Sequence, residues 1–348
     1  MSRLIDIKSM DLDELNEFIL SIGEKKYRSS QIYTWLHQKG AQSFEEMSNL
    51  SKELITKLTD TCNIVNVDQL DCLKSKEDGT KKFLFELDDD QVIESVLMSY
   101  KHGNSVCISS QVGCKMGCKF CASTIGGLVR NLKPSEMLEQ IYAIEKNAGE
   151  KISNIVVMGT GEPFDNYDNL MKFIKIINSK EGRNIGQRSI TVSTCGIVPR
   201  IYDFADENTG VNLAISLHGA DDEVREKLMP IVHQFTYEEL MASCQYYTKT
   251  TNRRITFEYS LVKGVNDTKD DAYLLTRRLK GMLCHVNLIP MNKVEGKPFE
   301  KSDDAAVKNF KRILESKKIT TTVRRALGEE VDAACGQLRR SHVEKNNK

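Results

Sequence analysis

The chain has 348 residues, 40% of them apolar, and its 49 basic side chains balance 49 acidic ones. That length suits two domains, or one large domain with an appendage, and the apolar share can fill a sizeable core. A zero net charge excludes a globally basic nucleic-acid binder, and no apolar run reaches the length of a membrane span.

The first residues, Met1 to Lys8, hold no apolar stretch of the secretory type, so a cytoplasmic protein is expected. Ten cysteines in such a chain speak for metal binding or redox chemistry in a reducing compartment rather than for a disulfide scaffold. Residues 1–63 read as a small helical module. Asp11-Leu12-Asp13-Glu14 has the form of a capping box, Leu15, Phe18, Ile19 and Ile22 follow at helical spacing, and Gly23 stops the run. Segments 29–37 and 51–58 give two further helices. Over 64–100 the pattern changes to alternation, and 82–87 with 92–98 form a hairpin around Asp88-Asp89-Asp90. Glu94 lies inside the second strand, where a lone glutamate ordinarily faces solvent.

Over 101–340 strands alternate with helices. Strands are predicted at 105–109, 152–158, 189–193, 211–216, 255–261 and 285–289, and helices near 134–147, 167–179, 198–207, 236–250, 268–282 and 303–316. Such alternation means parallel pairing with right-handed crossovers. Six units suggest an α/β fold, a partial (β/α)6 barrel open on one side, with a doubly wound sheet as the competing topology. A last strand at 319–323 precedes Arg324-Arg325, and residues 341–348 form a charged tail.

The chemistry concentrates at Cys114-Lys115-Met116-Gly117-Cys118-Lys119-Phe120-Cys121, directly after the first of these strands. Three thiolates at C-x3-C-x2-C spacing can hold a [4Fe–4S] cubane and leave its fourth iron open to what it reduces. The spacing is that of radical S-adenosylmethionine (SAM) enzymes. The alternatives are a structural zinc site, which normally needs a second ligand arm that does not follow here, and three unrelated core cysteines.

Small or polar residues gather where the strands end: Gly159-Thr160-Gly161-Glu162-Pro163, Ser193-Thr194-Cys195-Gly196, Ser216-Leu217-His218-Gly219 and Pro290-Met291-Asn292. In β/α barrels this edge carries the active site. Each ending alone is ordinary turn chemistry; together they fit a pocket for a polar cofactor with amine, carboxylate, ribose and adenine. Two glycines would let backbone approach the amino end, and Glu162 could accept its ammonium. His218 reads equally as a satisfied turn histidine. Cys335, between Ala334 and Gly336, reads alone as a small buried thiol. The basic clusters Lys25-Lys26-Tyr27-Arg28, Arg253-Arg254, Arg324-Arg325 and Arg339-Arg340 read singly as solvated faces.

Taken together, Cys107-Ile108-Ser109-Ser110-Gln111-Val112-Gly113-Cys114, Met158 to Pro163, Ser216-Leu217-His218 and Val331-Asp332-Ala333-Ala334-Cys335-Gly336-Gln337-Leu338 resemble the bacterial radical SAM RNA adenine methyltransferases over nearly the whole chain. Val112, Pro163, the 288–292 stretch and Arg324-Arg325 are similar to the branch that methylates adenine C-2 in 23S rRNA and tRNA. The other branch methylates C-8 of the rRNA adenine. Thr160, Met291 and the 122–127 loop depart from the commoner pattern.

The resemblance implies a [4Fe–4S] cluster on Cys114, Cys118 and Cys121. It implies SAM held by Gly161, Glu162, Ser193, Ser216, Leu217, His218 and Asn292, two molecules per turnover. One SAM methylates Cys335; the second, cleaved at the cluster, yields a radical that activates that methyl, and the resulting carbon radical adds to an adenine carbon without a lone pair. Cys107 then attacks the Cys335 sulfur, releasing product and leaving a disulfide. Glu94 becomes the proton acceptor, which reverses its solvent-facing reading. A target base must be splayed out of its stack, and the helical module with the basic clusters would hold the RNA backbone. A flavodoxin or ferredoxin is implied as electron donor, and the chain is expected to act as a monomer off the membrane. Outside this class, a non-catalytic, zinc-stabilised RNA-binding protein is the open alternative.

Overall fold

The computed structural model describes residues 4–101, 103–291, 294 and 296–324. Asn292, Cys335, the 331–338 motif and the 341–348 tail lie outside the described residues.

The chain begins with β1 (Ile5–Asp6) and α1 (Leu12–Ser21), whose capping box is formed as the sequence suggests: the Asp11 side chain accepts from the Asp13 and Glu14 amides while Glu14 accepts from Asp11 N. Next come α2 (Tyr27–Thr34), continued by a π turn over Trp35–Lys39, then α3 (Lys52–Thr61) and β2 (Cys62–Asn63), which pairs parallel to β1. The module does not stand apart. Lys8 is fully buried and donates from Nζ to Glu139 Oε1 (2.6 Å) and to Val65 O (2.5 Å). His37 Nδ1 lies 3.1 Å from the Tyr142 hydroxyl. Leu15, Ile19, Leu36 and Leu54 belong to the same apolar core as the strands that follow.

The alternating region contains three strands rather than a two-stranded hairpin: β3 (Asp68–Lys74), β4 (Lys81–Glu86) and β5 (Val92–Tyr100). They are antiparallel and continue directly into β6 (Gly103–Cys107), so the hairpin extension is part of the main sheet. After β6 a short antiparallel ladder, β7 (Gln111–Gly113) with β8 (Leu128–Asn131), brackets the cysteine loop. The chain then alternates α4 (Pro134–Ala148), β9 (Ile152–Val157), α5 (Tyr167–Asn178), β10 (Ile190–Thr194), α6 (Val198–Asp206) and β11 (Asn212–Ser216). It goes on through α7 (Asp222–Leu228), α8 (Tyr237–Thr251), β12 (Ile255–Leu261), α9 (Lys269–Arg278), β13 (Cys284–Pro290), α10 (Asp304–Ser316) and β14 (Thr320–Val323). The predicted strands and helices of the alternating region agree with the observed ones within a few residues, except that α9 ends early; α7 and the strands β1, β2, β3, β7 and β8 were not expected.

All ten main-sheet strands run in the spatial order β14-β13-β12-β11-β10-β9-β6-β5-β4-β3. From β6 to β14 each strand pairs parallel with the next. The order has no switch point, which excludes the doubly wound alternative. Residues on β5 and just after β14 line one cavity, so the sheet curls into a partial barrel. Among the described residues its end strands β3 and β14 do not pair with each other. No helix among the described residues is long and apolar enough to cross a membrane.

Candidate active site

At the C-terminal edge of the parallel strands lies a cavity of about 330 Å³. Its floor is the cysteine loop. Gly117 takes a φ of 70°, Cys121 N donates to Cys118 O (3.1 Å), and the Thr124 hydroxyl donates to the carbonyls of Cys118 and Cys121. Cys114, Cys118 and Cys121 all line the cavity. Burial pushes the Cys114 thiol up to about 12 and raises Cys118 and Cys121, and the charges of neighbouring thiols raise Cys114 and Cys118 further. Metal binding is what holds such cysteines as thiolates, so these three side chains could serve as a donor set for a cationic centre. Among the described residues no three His, Cys, Asp or Glu side chains converge on one ion.

The endings of β9, β10 and β11 form the adjoining wall. Gly161, Glu162, Ser193, Ser216 and His218 line the cavity. Leu217 is fully buried in the apolar core and stands behind that wall. The two glycines serve chain packing: a Cβ on Gly159 would sit 2.6 Å from Ile108 O, and one on Gly161 2.6 Å from Gln111 Cβ. Glu162 is held firmly, its Oε1 accepting from Phe164 N (3.0 Å) and Oε2 from Cys195 N (2.7 Å). Burial raises its pKa and these amides oppose the rise. His218 Nδ1 accepts from Ser260 N (2.9 Å), so the ring hydrogen sits on Nε2. Burial first, and the Arg225 charge second, push its pKa down to about 3, so the imidazole is neutral. The Phe120 ring meets it edge-on at 5.0 Å. Ser193 and Ser216 face each other across adjacent strands with hydroxyls 3.5 Å apart.

The far wall comes from the antiparallel arm. Lys82 pairs with Val96, and Val96 with Cys107, so these side chains share a face with Glu94, two residues from Val96. Glu94 and Cys107 both line the cavity. Glu94 is only 3% exposed, and Lys82, fully buried, stands 3.3 Å from it. The solvent-facing expectation for a lone strand glutamate is therefore corrected: both faces of this strand are covered. Burial pushes the Cys107 thiol up to about 11, with Arg324 and Lys82 pulling the other way.

Sequence reasoning missed several residues here. Glu258 on β12 lines the cavity, its Oε2 accepting from Asn287 Nδ2 (2.9 Å), and Asn287 Oδ1 in turn accepts from the Thr322 hydroxyl (3.0 Å). A charged residue inside a strand covered on both faces was the available signal. Ser260 and Lys82 carried none. The nine described cysteines are free thiols. The implied Cys107–Cys335 disulfide involves a residue outside the described ones, as does the Asn292 assignment.

Residues 5–64 match the family model described as "Ribosomal RNA large subunit methyltransferase N-terminal domain", and residues 108–275 match "Radical SAM superfamily". The chain is 54% identical over 341 residues to the "Probable dual-specificity RNA methyltransferase RlmN" of Lachnoclostridium phytofermentans, covering 98% of this chain and 96% of that one. It is 52% identical over 338 residues to the protein of the same name in Clostridioides difficile, covering 97% and 98%. Among solved structures, a radical SAM methyltransferase from Sphaerobacter thermophilus superposes with a TM-score of 0.91 at 40% identity, covering 96% of this chain and 98% of that one.

Proposed function

The chain belongs to the dual-specificity RNA methyltransferase RlmN family, and on that footing we propose that it methylates adenine C-2 in 23S rRNA and tRNA through a methyl group carried on Cys335. It is a radical SAM methyltransferase that uses a [4Fe–4S] cluster and SAM, which sets aside the non-catalytic zinc-stabilised reading. The observation that carries the proposal is that Cys107 and Glu94 line the same cavity as the three-cysteine loop, although they come from separate strands.

When bound, the cluster and SAM supply the one-electron chemistry that a carbon without a lone pair requires. The rest falls to the chain's own residues. Cys114, Cys118 and Cys121 would hold the cluster. Gly161, Glu162, Ser193, Ser216, Leu217, His218 and Asn292 would hold SAM, with His218 offering its Nε2 hydrogen and Leu217 supporting the wall from behind. Cys335 carries the methyl group, and Cys107 breaks the sulfur–carbon link to it. Glu94 takes the proton from the adenine carbon, in a site whose buried walls exclude water. The helical module and the basic clusters bind the RNA backbone. A flavodoxin or ferredoxin supplies electrons to a cytoplasmic monomer.

The test is nucleoside analysis of 23S rRNA and tRNA from cells with and without the gene. A C-2 methyladenine lost from both RNAs on deletion is the expected result. A methyl at C-8, or unchanged nucleosides, overturns the proposal.

A further inference from the structure

Arg225 is only 1% exposed, yet no carboxylate among the described residues pairs with it. Its guanidinium donates to three backbone carbonyls: Leu217 O (2.6 Å) and Ser216 O (3.2 Å) from Nη1, and Cys195 O (3.1 Å) from Nη2. Its buried Nε has no partner among the described residues. Carbonyl dipoles orient a guanidinium but do not neutralise it, and a buried cation without a counter-charge is strongly destabilising. Two of the residues whose carbonyls it binds, Cys195 and Ser216, line the same cavity as Cys118 of the cysteine loop, and Cys118 packs against the apolar cluster that contains Cys195. A [4Fe–4S] core on three thiolates carries net negative charge, and it becomes more negative on reduction.

We propose that Arg225 is the buried counter-ion of the cluster, its positive charge left unpaired within the protein so that it stabilises the reduced state and raises the reduction potential. The inference rests on the assignment of Cys114, Cys118 and Cys121 as cluster ligands. Iron content and the visible spectrum of the wild-type holoenzyme test that assignment separately.

The experiment is an anaerobic redox titration of the holoenzyme, followed by electron paramagnetic resonance, with iron measured per chain. Arg225→Met and Arg225→Gln remove the charge, whereas Arg225→Lys keeps it and loses the fork. A fourth variant, Leu240→Glu, retains Arg225 and introduces an acid beside it: the Leu240 side chain and Arg225 Nη2 lie around the same point next to Gly196, 3.0 Å and 3.6 Å from it. The expected result is a shift to lower potential in the Met, Gln and Leu240→Glu variants, with the Lys variant close to wild type. A purely structural role for Arg225 predicts lower melting temperatures with an unchanged potential, and that outcome in the loaded neutral variants overturns the proposal. Should the neutral variants fail to fold or load iron, Leu240→Glu decides: an unshifted potential there overturns it, and a lowered one sustains it.

Discussion

Glu94 Oε2 and Lys82 Nζ lie 3.3 Å apart, on neighbouring antiparallel strands, with neither side chain more than 3% exposed. Opposite charges buried side by side offset part of each other's desolvation cost. Removing one member of such a buried pair takes away a counter-charge of the other. Lys82→Met is expected to cost roughly 3–5 kcal/mol of stability. The double variant Lys82→Met/Glu94→Gln should melt above Lys82→Met, because the buried charge that Lys82 faced has gone too. Additive losses in the thermal melts would mean that the two side chains do not act as a pair.

On the proposed roles, replacing Cys107 should separate methyl loading from product release. Cys107→Ala should still load and transfer carbon to RNA, but it lacks the thiol proposed to break the sulfur–carbon bond. A covalent protein–RNA adduct through Cys335 is expected, read by mass analysis of the digested protein. Unmodified Cys335 peptide together with normal RNA methylation would remove Cys107 from the reaction. Cys335→Ala, by contrast, should give neither adduct nor methylated RNA.

Each of Cys114→Ala, Cys118→Ala and Cys121→Ala should yield folded protein without the cluster, because two remaining thiolates do not hold a cubane with one open iron. The checks are iron per chain and cleavage of SAM under reducing conditions. Full turnover by an iron-free variant would refute the ligand assignment.

Gly159→Ala tests how tightly the end of β9 is fitted against the loop after β6. The added methyl would meet Ile108 O at 2.6 Å and Ile108 C at 2.7 Å, backbone atoms that cannot swing away. A loss of about 1–3 kcal/mol is expected, with weakened SAM binding because Gly161 and Glu162 move with that strand end. Equilibrium unfolding and a SAM binding isotherm measure the two effects. A variant as stable as wild type would show that the close approach is relaxed in solution.

His37 makes the docking of the helical module sensitive to acid. It is fully buried, and burial first, then the charges of Lys8 and Arg183, push its pKa down to about 3. The unfolded chain takes up this proton near the ordinary value of about 6.5, while the folded chain resists it. Stability from this group is therefore complete above about pH 6.5 and is lost progressively toward about pH 3, at up to ~1.4 kcal/mol per pH unit. Urea midpoints at pH 7.5 and pH 5 should fall further apart in wild type than in His37→Phe. Equal differences would show that His37 does not govern the acid response.

The parallel strands and most helices were legible because their apolar periods are long and their boundaries carry caps. The cysteine loop was legible because ligand spacing is a local property. Glu94 misled for a physical reason: β4 and β5 are covered on both faces, so alternation along them no longer distinguishes inside from outside. β3 escaped notice because most of its residues are exposed and show no apolar face. Arg225 was hidden in Asp222-Glu223-Val224-Arg225-Glu226-Lys227, a charged run that reads as a surface helix. Only the three-dimensional path of the chain turns one of its charges inward.

The unpaired strands β3 and β14 have a consequence for what the enzyme can accept. A closed barrel admits only what fits through its mouth, and a polymer would have to enter by a free end or as a narrow protrusion. Among the described residues the sheet stops short of closure, so no continuous ladder obliges a polymer to be threaded past it, and a position in the middle of a long strand is not excluded by the strand pairing itself.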